Sequence, residues 1–164
     1  IALDYLPGSI TFDPVVERAD PELASQVVWF DAYTTNVDRT SRNTNLLIWH
    51  RKLWLIDHGA ALYFHHDWTN YLERSRSSFP QIKDHVLLPF ADALLETDAH
   101  FGSRLTPELI QDILSLIPDD WLVHDSPFTD VREHRAAYVN YLLTRMALPR
   151  DFLKEAVNAR TVSV

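Results

Sequence analysis

The sequence predicts a mainly α-helical domain that carries one small β-hairpin. Helix start signals recur ahead of apolar residues spaced three and four apart, and one pair of short Leu/Ile/Trp-rich segments is separated by three residues. The 164 residues, 46% of them hydrophobic, suffice for one sizeable core and are too few for two ordinary domains. One domain over residues 1–164 is therefore expected, with an extended segment at 1–19 and a helical body at 20–164.

Residues 1–19 hold Pro7-Gly8 and Asp13-Pro14, both turn signals, between short apolar pieces at 3–6 and 10–12. Asp20-Pro21-Glu22 then supplies an N-cap, a proline at the first helical position and an acid in the first turn. Leu23, Val27, Phe30 and Thr34 follow at helical spacing, predicting a helix over 21–35. Residues 46–49 and 53–56 flank His50-Arg51-Lys52 and read as a tight hairpin. Residues 63–78 read as a loop, and the run Glu73-Arg74-Ser75-Arg76-Ser77-Ser78 as a solvated part of it. Val86, Phe90, Ala93, Leu94 and Thr97 recur with helical period. Thr106-Pro107-Glu108 opens another helix, with Leu109, Ile113, Leu116 and Ile117 expected on its apolar side. Asp130 and Glu133 form a capping box for a helix reaching about Ala147. Pro149 ends it, ahead of a last helix bearing Phe152, Leu153, Ala156 and Val157. Trp49, Trp54, Trp68 and Trp121 read as core packing.

Composition excludes several functions. A formal net charge of -8 argues against sequence-independent binding to DNA or RNA, which rests on Lys and Arg neutralising phosphates. No apolar run approaches the ~20 residues that span a bilayer. Cysteine is absent, which removes disulfides and thiolate metal sites and fits a reducing, cytoplasmic setting. With only three glycines, at Gly8, Gly59 and Gly102, no glycine-rich phosphate loop exists in these residues.

The chemistry is concentrated in Asn36-Val37-Asp38-Arg39-Thr40-Ser41-Arg42-Asn43-Thr44-Asn45, followed after the hairpin by Ile56-Asp57-His58-Gly59. Phosphoryl transfer from ATP needs a carboxylate beside the accepting hydroxyl, an amide oxygen on the metal and a second carboxylate on the metal. Asp38, Asn43 and Asp57 occur in that order and at that spacing. Antiparallel pairing would bring Asn43 and Asp57 together, Gly59 would let the backbone turn behind Asp57, and Mg2+ needs only one or two protein oxygens besides phosphate and water. Taken singly, Asp38-Arg39 would be a polar turn with a surface ion pair, and Asn43 and Asn45 ordinary turn residues. A rival reading uses His58, His65 and His66 with Asp57 and Asp67 as a transition-metal centre for hydrolysis, although His-Glu-x-x-His is missing.

Asp38-Arg39 with Asn43 five residues after Asp38, then Ile56-Asp57-His58-Gly59, resembles the catalytic and metal-binding segments of phosphatidylinositol 3- and 4-kinases and of HipA-like serine kinases. The wider text, from Leu3-Asp4-Tyr5-Leu6-Pro7-Gly8 through Trp29-Phe30-Asp31-Ala32 to Leu62-Tyr63-Phe64-His65-His66, is most similar to the HipA-like kinase domains of bacterial proteins. The resemblance covers most of residues 1–70. It implies a protein-kinase-like C-terminal lobe, ATP and Mg2+, with Asp38 as base, Arg39 as an orienting residue, and Asn43 and Asp57 as metal ligands. Residues 3–7 would be the hinge against which adenine lies, so Leu6 joins the nucleotide contacts, and Leu47 would lie beneath the ring.

Three departures from the family pattern qualify these expectations. The phosphate-covering loop, the phosphate-pairing lysine and its glutamate would precede the hinge, so the chain is expected to be a C-terminal lobe lacking its N-lobe, with negligible turnover alone. None of Lys52, Lys83 and Lys154 matches the missing lysine. His58 replaces the usual aromatic residue between Asp and Gly, and Asn45 competes with Asn43 for the metal. The expected partners are a nucleotide and a hydroxyl acceptor on protein Ser/Thr, lipid or a small molecule, with neither nucleic acid nor membrane. A non-catalytic pseudokinase or protein-binding module is the non-enzymatic alternative.

Overall fold

The computed structural model describes residues 5–123 and 126–163; Leu3 and Asp4 of the hinge-like stretch lie outside them. The chain runs β1 (Ile10–Thr11), α1 (Pro21–Thr34), β2 (Leu46–Trp49), β3 (Lys52–Leu55), α2 (Tyr71–Ser75), α3 (Leu94–Arg104), α4 (Pro107–Ser115), α5 (Asp120–Val123), α6 (Val131–Met146) and α7 (Asp151–Ser163). Short 3-10 turns occupy Tyr63–His66, Pro80–Asp84 and Leu88–Phe90. The fold is thus mainly α with a small β part.

The helix starts follow their capping residues. Asp20 accepts a bond from Leu23 N at the head of α1, Thr106 from Leu109 N at α4, and Asp130 from Glu133 N at α6, each satisfying an amide that the first turn leaves without a partner. Glu133 bonds back to the backbone N and hydroxyl of Thr129, so the capping box closes one residue earlier than its usual form.

α1 is the centre of the core and packs on α3 and α7. Its Trp29 is 1% exposed and meets Phe101 and Phe152 edge to face at 5.1 and 5.5 Å. The indole N–H donates to Asp98 Oδ1 at 2.8 Å, and Asp98 Oδ2 accepts from Arg150 at 2.6 Å, tying α1, α3 and the start of α7 through one polar link. Arg145 of α6 is 2% exposed and has no carboxylate partner among the described residues. It donates instead to the carbonyls of Ala32 and Tyr33 at 2.7 and 2.8 Å, and to those of Ser75 and Ser77. The cation therefore occupies the negative end of α1, where helix carbonyls lack amide partners. The functional loop leaves α1 at that end.

Among the described residues, the sheet has three antiparallel strands in the order β1-β2-β3, one more than the sequence suggests. β1 is two residues long and is defined by its pairing, Ile10 with Ile48 and Thr11 with Leu47. In the hairpin, Leu46 faces Leu55 and Trp49 faces Lys52, so the turn is His50-Arg51 alone. Both turn residues have positive φ, 48° and 63°, the hand that suits the twist of two paired strands.

Other expectations are corrected. The helical period over 86–97 breaks at Pro89, which leaves only a 3-10 turn before α3 begins at Leu94. α4 turns Ile110 and Leu114 inward, while Leu109, Ile113 and Leu116 are exposed, because its partner α6 lies on the neighbouring stripe. Residues 63–78 contain a 3-10 turn and α2, with Ser75 buried. Trp121 is 76% exposed and Trp54 39%, so neither is a core residue. Trp68 packs edge-on against Phe64, Phe128 and Tyr138.

Candidate active site

The loop between α1 and β2 begins with Thr35 in the left-handed region, φ 56°, and its amide bonds Asp31 O. Inside the bend, Asp31, Asn36, Arg39 and His85 form one buried polar cluster. Arg39 Nε and Asp31 Oδ2 are 2.5 Å apart, both side chains being 0% exposed. His85 Nε2 lies 3.0 Å from the same oxygen, and Asn36 Nδ2 donates to Asp31 Oδ1 at 3.0 Å. Burial alone would push the Asp31 carboxyl up; the hydrogen bond from His85 and the bond and charge of Arg39 outweigh it and hold the group below the usual carboxylate range. His85 Nδ1 accepts the Leu87 amide at 3.0 Å, so the imidazole proton is on Nε2 and the ring is neutral. Burial pushes its pKa down, against the pull of Asp31.

Arg39 also donates to the Asn45 carbonyl at 2.5 Å, reaches the Ile56 carbonyl at 3.5 Å and lies 3.4 Å from His58 Nδ1. The surface ion pair considered for Asp38-Arg39 is therefore replaced by a buried one. Arg39 is 1% exposed and holds the base of the hairpin from beneath, which makes it a positioning residue and not one that meets a substrate.

Above it lies Asp38, half-buried. Two amides converge on its carboxylate: Asn43 Nδ2 donates to Oδ2 at 3.0 Å and Asn45 Nδ2 at 3.2 Å. Asn45 also donates to the Asp38 carbonyl at 3.2 Å. Its left-handed backbone, φ 47°, carries the chain from this bend into β2. With both amide nitrogens turned to Asp38, both amide oxygens are left for other partners. The Ile56 amide bonds Asn45 O at 3.0 Å, extending the hairpin ladder by one pair, so Thr44 and Asp57 leave it at the same end. Asp57 is exposed with φ 49°. It makes the turn itself, in place of Gly59, whose amide bonds Asp57 Oδ1 at 3.3 Å. A Cβ on Gly59 would lie 3.2 Å from that oxygen, so the glycine supplies room and not a special φ.

A cleft of about 550 Å³ opens beside this group, its lining including Asp13, Asn43, Thr44, Asn45, Leu47 and Ile56. Leu46 is fully buried in the core and Leu47, next along the strand, is half-buried; both border the cleft. Thr44 Oγ1 is buried and has no hydrogen-bond partner among the described residues. Leu6 is not among the cleft's lining residues. It lies toward the far end of β2, where Ser9 N bonds Leu6 O at 3.1 Å and Trp49 Nε1 bonds Pro7 O at 3.0 Å. Neither Asp38 nor Asp57 is among the cleft's lining residues; the amides of Asn43 and Asn45 and the carboxylate of Asp13 are, hard oxygens of the kind Mg2+ takes beside phosphate and water.

The histidines go elsewhere. His58 sits 6.2 Å edge-on from Phe30, while His65 and His66 meet edge to face at 4.4 Å and lie against Tyr138 and Tyr63. Among the described residues, no three His, Asp or Glu side chains gather so as to hold a metal ion. The residues that sequence reasoning missed are Asp31, Asn36 and His85. The one available signal was an aspartate among the apolar residues of α1, a position that demands a buried partner.

A model of the HipA-like kinase family matches residues 9–155. No curated protein and no solved structure gives a significant match. The matched span holds the Asp38 loop, the hairpin with Asp57 and the core that supports them, and the chain belongs to the HipA-like kinase family, whose type of chemistry is phosphotransfer.

Proposed function

We propose that this chain carries the transfer site of an ATP- and Mg2+-dependent phosphotransferase. The observation that supports it most is the double amide grip on Asp38 Oδ2 beside a cleft, at the end of the hairpin from which Asp57 emerges. Asp38 accepts the proton of the acceptor hydroxyl as that oxygen attacks the γ-phosphorus, and ADP departs. The two amides fix the carboxylate's direction and leave its other oxygen for the incoming hydroxyl. An amide oxygen of Asn43 or Asn45, with a carboxylate oxygen of Asp57, would hold the cation, whose chemistry is to neutralise and orient the phosphates. Leu47 offers an apolar surface to adenine, and Leu6 belongs to the hinge-like segment at the other end of β2. Protein Ser or Thr is the favoured acceptor, by family analogy.

The test is calorimetric titration of Mg-ATP into the full-length gene product, wild type and Asp57→Asn, together with turnover of Asp38→Ala. Nucleotide binding weakened at least tenfold by Asp57→Asn is expected. Turnover should fall by ~10²–10⁴ in Asp38→Ala while nucleotide binding persists. Tight binding untouched by Asp57→Asn would reassign Asp57, and full turnover in Asp38→Ala would remove Asp38 as base.

A further inference from the structure

A second cleft, of about 900 Å³, adjoins the first along the Asp38 loop. Thr40, Ser41 and Arg42 form one wall, and the segment from Lys83 to Phe90 forms the other. The two clefts share Pro14, Ser41 and Arg42, so they meet over the loop whose Asn43 holds the Asp38 carboxylate. The far wall is fixed to that loop by backbone. Val86 N bonds Arg39 O at 3.0 Å, and Thr40 and His85 form an antiparallel bridge.

Resting on the phosphotransfer reading, the geometry points to this second cleft as the acceptor's seat, and to an acidic polypeptide segment as the acceptor. An in-line transfer needs the hydroxyl to approach from a place the nucleotide does not fill, and the second cleft adjoins the first at the loop that carries Asp38. Two cations, Arg42 and Lys83, line it against one acid, Asp84. Both cations are exposed, and neither has a carboxylate within salt-bridge distance among the described residues. They stand in a chain of net charge -8, which otherwise repels an acidic partner. Local positive charge at the mouth of the site thus selects acceptors whose hydroxyl is flanked by Asp or Glu. Val86, Pro89 and Phe90 give the same cleft apolar wall for a peptide's neighbouring side chains. A lipid acceptor is disfavoured because the net charge opposes approach to an anionic bilayer.

The test uses the full-length protein with Mg-ATP and peptides bearing one Ser or Thr flanked by acidic, neutral or basic residues. Fluorescence anisotropy of labelled acidic peptides with Ala in place of Ser or Thr supplies a readout that needs no turnover. Acidic peptides are expected to bind best and be phosphorylated at the lowest KM. Lys83→Glu should raise that KM roughly fivefold, the ceiling for one exposed charge, while leaving ATP hydrolysis unchanged. Lys83→Glu combined with Arg42→Glu should turn the preference toward basic peptides. Equal use of acidic and basic peptides, no effect of Lys83→Glu, or transfer to phosphatidylinositol vesicles or a small polyol but to no peptide would overturn the assignment while leaving the phosphotransfer reading intact. Failure to bind Mg-ATP, or full turnover in Asp38→Ala, would remove the phosphotransfer reading and this inference with it.

Discussion

Replacing Arg39 by methionine tests the buried cluster directly. The change keeps the volume of the side chain's stem but leaves the Asp31 carboxylate, 0% exposed, with only His85 and Asn36 as donors. It also strips a donor from the Asn45 carbonyl. Removing one member of a buried ion pair costs about 3–5 kcal/mol, and the two remaining donors place the expected loss near the lower end, ~3 kcal/mol. In a domain of this size each kcal/mol moves Tm by about 2–4 °C, so a fall of roughly 6–12 °C is expected by calorimetry. Asp31→Leu should cost as much, because it strands the guanidinium. Carrying both changes removes both charges, and the double variant should be more stable than the sum of the single losses by at least ~2 kcal/mol in urea denaturation. A single-variant Tm within 2 °C of wild type, or strict additivity in the cycle, would refute the account of Arg39 as the buried counter-charge of Asp31.

Acid should loosen the same cluster. The folded pKa of His85 is depressed, so its contribution is full above the ordinary histidine value of about 6.5 and is lost as pH falls toward the lower folded value. Asp31 acts with the same sign below about 3.9. The urea midpoint is expected to drop between pH 7.5 and 5.5, with a shallower slope in His85→Gln; some slope remains because burial also lowers His65. Asn43→Ala and Asn45→Ala separate two roles. The amide that holds the cation should raise the Mg2+ concentration needed for half-maximal turnover, and Asn45→Ala alone should also lower Tm, since Asn45 bonds both the side chain and the carbonyl of Asp38. Arg145→Met should lower stability by more than ~2 kcal/mol in denaturant titration, because four carbonyls lose a charged donor.

Local signals carried the capped helices α1, α4 and α6, and tertiary pairing carried much of what they missed. The Asp20, Thr106 and Asp130 caps mark their helices because a cap acts within three residues of itself. β1 has no such local signature; two residues become a strand only because Leu47 and Ile48 lie alongside. The exposed side of α4 shows the same limit, since Leu109 and Ile113 have helical spacing as regular as that of Ile110 and Leu114, and only the position of α6 decides between the stripes. In the site, the contact of Asn43 and Asn45 with Asp38 was legible because one short loop carries all three, and Asp57 follows at the same end of the hairpin. His85 was not, since 54 residues separate it from Asp31 and nothing in its own neighbourhood announces a partner.

The placement of that histidine relates the two clefts. A buried ion pair of this kind contributes little net stability over an apolar replacement, so its value lies in fixing one arrangement among many. The arrangement it fixes joins α1 through Asp31, the Asp38 loop and hairpin base through Arg39, and the segment that follows Lys83 through His85. The wall proposed to receive the acceptor is thereby held to the loop that carries the proposed base by side chains as well as by the Val86 to Arg39 backbone bond. An apolar contact at the same place could slide by an ångström at small cost. A carboxylate whose acceptor sites are claimed by Arg39, Asn36 and His85 cannot shift without stranding a buried donor, and positioning of that kind is where phosphoryl transfer draws most of its rate.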